Sequence, residues 1–171
     1  MESIYKLTYR QILLLVGLVS SAVLSGALIG QYFFDLHPCH LCILQRWLYA
    51  AVTLLAFAGA FFSSSSDKKL RIILMICATI LLIGAGIASY HAGVEMGILK
   101  GPDSCSADPA SNLSLEELRA QIAGAALVSC TQAMAYIFGL SMAAWNALIS
   151  IATIGFIAIC LKGKKREQVT G

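Results

Sequence analysis

The sequence predicts an all-α membrane protein: a bundle of four transmembrane helices, both termini cytoplasmic, with a long periplasmic loop between helices three and four. Three observations predict it. Of the 171 residues, 58% are hydrophobic and only 12% charged, about half the charge of an ordinary soluble domain. No charge falls between Arg10 and Asp35, from Trp47 to Ser66, from Ile72 to Val94, or from Ala120 to Leu161. The basic residues that remain gather in alternate connections, which sets the orientation.

A helix needs roughly 20 apolar residues to cross the hydrocarbon layer. Four spans fit, at about 12–32, 43–62, 71–91 and 143–161, with outer loops at about 33–42 and 93–142. The first run continues well past the h-region of a signal peptide and is expected to be a retained helix. The last uncharged stretch is too long for one span, so only its C-terminal part is assigned. Thr131, Gln132 and the small residues before them are poorer membrane formers.

Lys6 and Arg10 precede the first span. Lys68, Lys69 and Arg71 lie between the second and third. Lys162, Lys164, Lys165 and Arg166 follow the fourth. These are nine of the twelve basic residues, and the other two connections share only Arg46, Lys100 and Arg119. The net charge of +3 is thus a topology signal beside anionic lipid, and no nucleic-acid partner is implied.

The connection from Ser63 to Lys69 is a short polar turn. Gly26 and Gly30, and Gly84 and Ala88, stand at small-xxx-small spacing suited to close packing inside the bundle. No internal repeat or low-complexity segment occurs, so residues 1–171 form one integral membrane domain. The loop before the fourth span carries turn signals at Gly101-Pro102-Asp103 and Asp108-Pro109. Ser114-Leu115-Glu116-Glu117 fits a capping box. The helix behind it places Leu115, Leu118 and Ile122 on one face, which rests either on the membrane surface or on the bundle. Trp47, Tyr49 and Trp145 fit an interfacial aromatic belt, and Glu95 reads as a solvated loop residue.

There are six cysteines. Cys77 and Cys160 fall within spans and read as small buried hydrophobes. Cys39, Cys42, Cys105 and Cys130 all fall on the outer side. In a bacterium that is the oxidising periplasm, where disulfides persist. They suggest two redox pairs, Cys39/Cys42 and Cys105/Cys130. Two inert structural disulfides would explain the loop pair, but a bridge across so short a loop as Cys39–Cys42 restrains little chain entropy. A zinc site is a second option, completed by Cys105 with Cys130 or His40, yet the loop pair lacks the short zinc spacing. Residue 43 is Ile, so the haem-attachment pattern fails. Catalytic thiol–disulfide exchange uses all four cysteines, the compartment and the membrane together, and ranks first; no metal is expected.

Cys42 falls in or near the first turn of the second span, where free N–H groups favour a thiolate. Arg46, one turn on, can hold that thiolate or an electron-accepting oxygen; an interfacial contact with lipid phosphate is the plainer alternative. His91, at the outer end of the third span, can donate to a quinone carbonyl or simply sit at the interface. His40, inside the CxxC, favours the thiolate form.

The segment Cys39-His40-Leu41-Cys42-Ile43-Leu44-Gln45-Arg46 resembles the CxxC-x-x-x-Arg segment of the disulfide-bond formation protein B (DsbB) family. The second cysteine pair before the fourth span also matches, as does Cys130 to Trp145, with Phe138-Gly139-Leu140 and Met142 between. Gln45 departs from members that carry an acid before the arginine. The resemblance implies an inner-membrane oxidoreductase that reoxidises a periplasmic DsbA-type dithiol oxidase and passes the electrons to ubiquinone or menaquinone in the bilayer. By the same analogy the partner attacks Cys105, Cys130 is released and engages Cys39, and Cys42 faces the quinone. Arg46 binds and polarises the ring, with His91 beside it. A vitamin-K-epoxide-reductase-like enzyme shares the chemistry, but there the loop pair normally precedes the CxxC; here the order is reversed.

Overall fold

A computed structural model describes residues 7–62, 66–102, 130 and 135–170. Four long helices dominate: α1 Tyr9–Phe33, α2 His40–Phe62, α3 Asp67–Glu95 and α4 Met142–Thr170. Each contains an apolar stretch long enough to cross a membrane. A two-stranded hairpin, β1 Tyr136–Ile137 and β2 Leu140–Ser141, leads into α4. Cys105 and the capping-box segment 114–122 lie outside the described residues.

The helix ends follow local chemistry. Thr8 caps α1 through a capping box with Gln11. After α1 the chain reverses at Asp35, whose φ of 54° is tolerated by a short polar side chain. The hairpin turn places Phe138 at φ 52° and Gly139 at φ 79°, the doubly left-handed geometry of a tight hairpin. Its register pairs Tyr136 with Ser141 and Ile137 with Leu140. Ser141 Oγ then accepts from the Ala144 amide at 3.2 Å, which caps the start of α4.

α1 packs mainly on α2, α2 on α3, and α3 on α4. The core at the end carrying the N-terminus of α1 and the C-terminus of α4 is dry and aliphatic, built from Leu13, Val16, Val52, Ala56, Leu74, Leu81 and Ile157. Cys77 and Cys160 are buried free thiols in this cluster, as expected of small hydrophobes. Outer faces stay apolar: Leu54 is 71% exposed and Leu82 63%, the pattern of a surface solvated by lipid.

Close helix approach occurs at different glycines from those the small-residue spacing suggests. A Cβ on Gly17 would lie 3.2 Å from Phe57, and one on Gly59 3.1 Å from Ile73. Around Gly26 nothing lies within 4 Å; it lines a cavity instead. Gly84 and Ala88 are buried as expected.

Candidate functional site

The opposite end of the bundle is built differently. Here the C-termini of α1 and α3 meet the N-termini of α2 and α4, and polar side chains turn inward. α2 begins at His40, one residue after Cys39. The Cys39 carbonyl accepts the first helical bond, from the Ile43 amide at 3.1 Å, so Cys39 holds the N-cap position. Its Sγ accepts from the Cys42 amide at 3.4 Å, as a capping Ser oxygen would. The two sulfurs lie 3.1 Å apart as free thiols.

The helix N-terminus therefore favours a thiolate at Cys39, where the sequence placed it at Cys42. The reason is the start of the helix: the cap residue, not the third helical residue, aims its side chain back at the free amides. Cys39 is 4% exposed, and burial alone would raise its pKa. The hydrogen bond from the Cys42 side chain outweighs that, and with His91 and the Cys42 amide it pulls the Cys39 thiol well below its ordinary 9.0.

His91 Nε2 lies 3.5 Å from Cys39 Sγ. Its Nδ1 lies 3.3 Å from Gln45 Nε2, an amide nitrogen that can only donate. Nδ1 is thus the acceptor, and the ring proton sits on Nε2, facing Cys39. Gln45 is held in that orientation because its Oε1 accepts from Asn146 Nδ2 on α4. Gln45 is 3% exposed and ties three helices together. Glu95, expected to be solvated, is instead drawn in: α3 continues to Glu95, whose side chain is 8% exposed and 3.6 Å from His91 Nε2.

Arg46 donates to Gln31 Oε1, and its second nitrogen donates to the Ala27 carbonyl at 3.1 Å. It bridges α2 to the end of α1. Tyr49 does not join an interfacial belt; it is 5% exposed and bonds Ser150 Oγ at 2.7 Å. Trp47 remains 71% exposed. Trp145 Nε1 donates to the Ile137 carbonyl at 2.9 Å, which fastens the hairpin to α4.

These groups surround a cavity of about 270 Å³. Cys42, Arg46, His91, Glu95 and Asn146 line its polar side; Val23, Leu24, Leu36 and Ile149 line the apolar side. Cys130 is buried and disulfide-bonded, and it packs in one cluster with Cys39, Leu41 and Val94. The structure so brings together Cys39, Cys42, Arg46, His91 and Cys130. Gln45 and Asn146 are the site residues that sequence reasoning missed; their only signal is that each is an amide in an apolar span.

The sulfurs of Cys39 and Cys42 and a nitrogen of His91 lie within 4.8 Å of one another, close enough for a soft metal. Two features favour thiol chemistry there. The S···S distance of 3.1 Å is shorter than the roughly 3.8 Å edge of a tetrahedral zinc site with 2.3 Å bonds. The nitrogen facing the sulfurs carries the ring proton.

The family model described as "Disulfide bond formation protein DsbB" matches residues 9–160. Disulfide bond formation protein B of Herminiimonas arsenicoxydans is 32% identical over 160 residues, covering 89% of this chain and 90% of that one. Disulfide bond formation protein B 1 of Pseudomonas fluorescens is 31% identical over 150 residues, covering 85% of each. An uncharacterized protein of Rickettsia prowazekii is 27% identical over 155 residues, covering 90% of this chain and 88% of that one. No solved structure is significantly similar.

Proposed function

Since the chain belongs to the disulfide bond formation protein DsbB family, we propose that it is a thiol:quinone oxidoreductase of the bacterial inner membrane. It reoxidises a periplasmic DsbA-type dithiol oxidase and passes the electrons to ubiquinone or menaquinone. The site end of the bundle faces the periplasm and both termini face the cytoplasm, in keeping with the distribution of Lys and Arg.

One observation carries the reading: Cys39, Cys42, Arg46 and His91 converge on one cavity, with Cys130 packed in the Cys39 cluster. The cavity suits a quinone headgroup. An apolar wall from α1 and α4 accepts a ring that partitions from lipid, and Arg46 and His91 bring donors for its oxygens. When bound, the quinone supplies a two-electron, two-proton acceptor.

The chain's own residues do the rest. Cys105 takes the partner's attacking thiolate into a mixed disulfide and Cys130 leaves as a thiol. Cys130, already beside Cys39, attacks it; a Cys39–Cys130 bond forms, the Cys39–Cys42 bond breaks, and Cys42 is released as a thiolate toward Arg46. Cys39 favours the thiolate in the reduced pair because the helix N-terminus, the Cys42 thiol and His91 stabilise it. Arg46, anchored on Gln31 and Ala27, holds positive charge at the cavity. The partner's second thiolate then displaces Cys105 and closes the partner's disulfide, and Cys105 attacks Cys130, reforming the loop pair and freeing Cys39. In net balance the partner's dithiol loses two electrons and two protons, and the electrons rest on the reduced Cys39–Cys42 pair.

The test uses purified protein, reduced DsbA-type partner and quinone. Cys42→Ser is expected to stop quinone reduction and Cys105→Ser to stop capture of the partner. Normal turnover in both would overturn the assignment. A non-catalytic protein with two structural disulfides would show no turnover, and its Cys39–Cys42 bridge would resist mild reductant.

A further inference from the structure

Among the described residues two buried side-chain oxygens lack a hydrogen-bond partner, Ser20 Oγ and Glu95 Oε2, and only Glu95 lines the cavity. Glu95 Oε1 and Cys39 Sγ both face one atom, His91 Nε2, at 3.6 and 3.5 Å. Nε2 carries a single proton, because Gln45 occupies Nδ1. Two anions on buried side chains thus compete for one donor. A thiolate at Cys39 and a carboxylate at Glu95 cannot both be compensated by it, and an uncompensated buried charge is costly.

We infer that Glu95 is the redox-linked proton carrier of the site: it binds a proton when the Cys39–Cys42 disulfide is reduced and releases it at the cavity when the disulfide reforms. This rests on the reading that the pair cycles between disulfide and dithiol. The balance is complete. The Cys39–Cys42 disulfide and the Glu95 carboxylate, with two electrons and two protons from a dithiol, give the Cys39 thiolate, the Cys42 thiol and the protonated Glu95 carboxyl. On reoxidation both electrons leave through the sulfurs, one proton leaves from Cys42 and the other from Glu95.

The other titratable groups around Glu95 are few. His91 shares its helix; Cys39, Cys42, Arg46 and Tyr49 come from α2 and the residue before it. Among the described residues, α1 and α4 bring no titratable side chain to the cavity. Arg46 is engaged by Gln31 and Ala27, so among the described residues Glu95 has His91 as its one close cationic or donor neighbour.

The test needs no quinone. Infrared difference spectra of the full-length protein, oxidised against dithiothreitol-reduced, report carboxyl protonation directly. Reduction is expected to raise a protonated-carboxyl C=O band that shifts in deuterium oxide. The band should be lost in Glu95→Gln and kept, displaced, in Glu95→Asp. A second readout is the pH dependence of the Cys39–Cys42 potential, followed by differential alkylation. Above the Cys39 pKa its slope should halve in Glu95→Gln, because one proton instead of two accompanies the two electrons. A wild-type pair that cycles without the band, or a band and slope unchanged in Glu95→Gln, would overturn the inference and leave the oxidoreductase reading standing. A pair that takes no electrons from dithiothreitol would overturn both.

Discussion

The two ends of this bundle are made from the same helices yet are built on opposite rules. At one end Leu13, Val52, Leu74 and Ile157 fill the interior with side chains that bond to nothing. At the other, Gln45, His91 and Glu95 bury polar atoms between the same helices. The dry end needs only volume and shape. The polar end needs each donor matched, because an unmatched buried polar group costs about 1–3 kcal/mol. That is why Gln45 reaches both His91 and Asn146, and why the unmatched oxygen of Glu95 stands out. Aliphatic packing is concentrated at one end, and the thiols and the cavity lie at the other.

Substitutions at each end should separate the two. The largest effect is expected from Cys42→Ser, which removes half of the redox pair: quinone reduction should fall to the uncatalysed background while thermal unfolding stays near wild type. Arg46→Met comes next. It removes charge-assisted hydrogen bonds worth about 1.5–3 kcal/mol, so the KM for quinone should rise roughly 10- to 100-fold in steady-state assays. Leu74→Ala, at the dry end, should destabilise the fold by about 2–5 kcal/mol in a denaturation series. It should leave the thiolate absorbance of the reduced site unchanged; a changed absorbance would mean the two ends are coupled.

The smallest effect is a pH dependence. The Cys39 pKa lies below its ordinary 9.0, so its ionised form is favoured by the fold. That contribution to the reduced protein's stability is full above pH 9.0 and is lost as pH falls toward the depressed pKa. Ultraviolet thiolate absorbance should accordingly persist from alkaline pH through neutrality in wild type and disappear there in Cys39→Ser. Loss of absorbance with an ordinary thiol midpoint would contradict the capping geometry.

The architecture was legible because lipid demands long uncharged helices, and charge gaps mark these without any knowledge of packing. The cluster of Cys39, Cys42 and Arg46 was legible too, since the three sit within two turns at the head of one helix. The rest was not. Gln45, His91 and Asn146 come from three helices, and nothing in a linear pattern says that an amide on one meets a ring on another. Glu95 looked solvated because a charge conventionally ends a span, yet α3 runs on and folds the carboxylate back against His91 one turn earlier. Cys42 does lie in the first turn of α2, as its position after Pro38 suggests, but the sulfur that turns back to a free amide belongs to Cys39 at the cap, a distinction of one helical position that a linear pattern does not show. The hairpin at Tyr136–Ser141 needs Phe138 at positive φ, which its bulky side chain would argue against.

The most direct measurement of the central claim is stoichiometric. Reduced DsbA-type partner and ubiquinone are mixed with a catalytic amount of the purified protein, and partner thiols and quinone absorbance are followed together. The account predicts one quinone reduced for each partner disulfide formed, with both traces silent in Cys42→Ser. A partner that stays reduced beside folded, oxidised wild-type protein and quinone would contradict it.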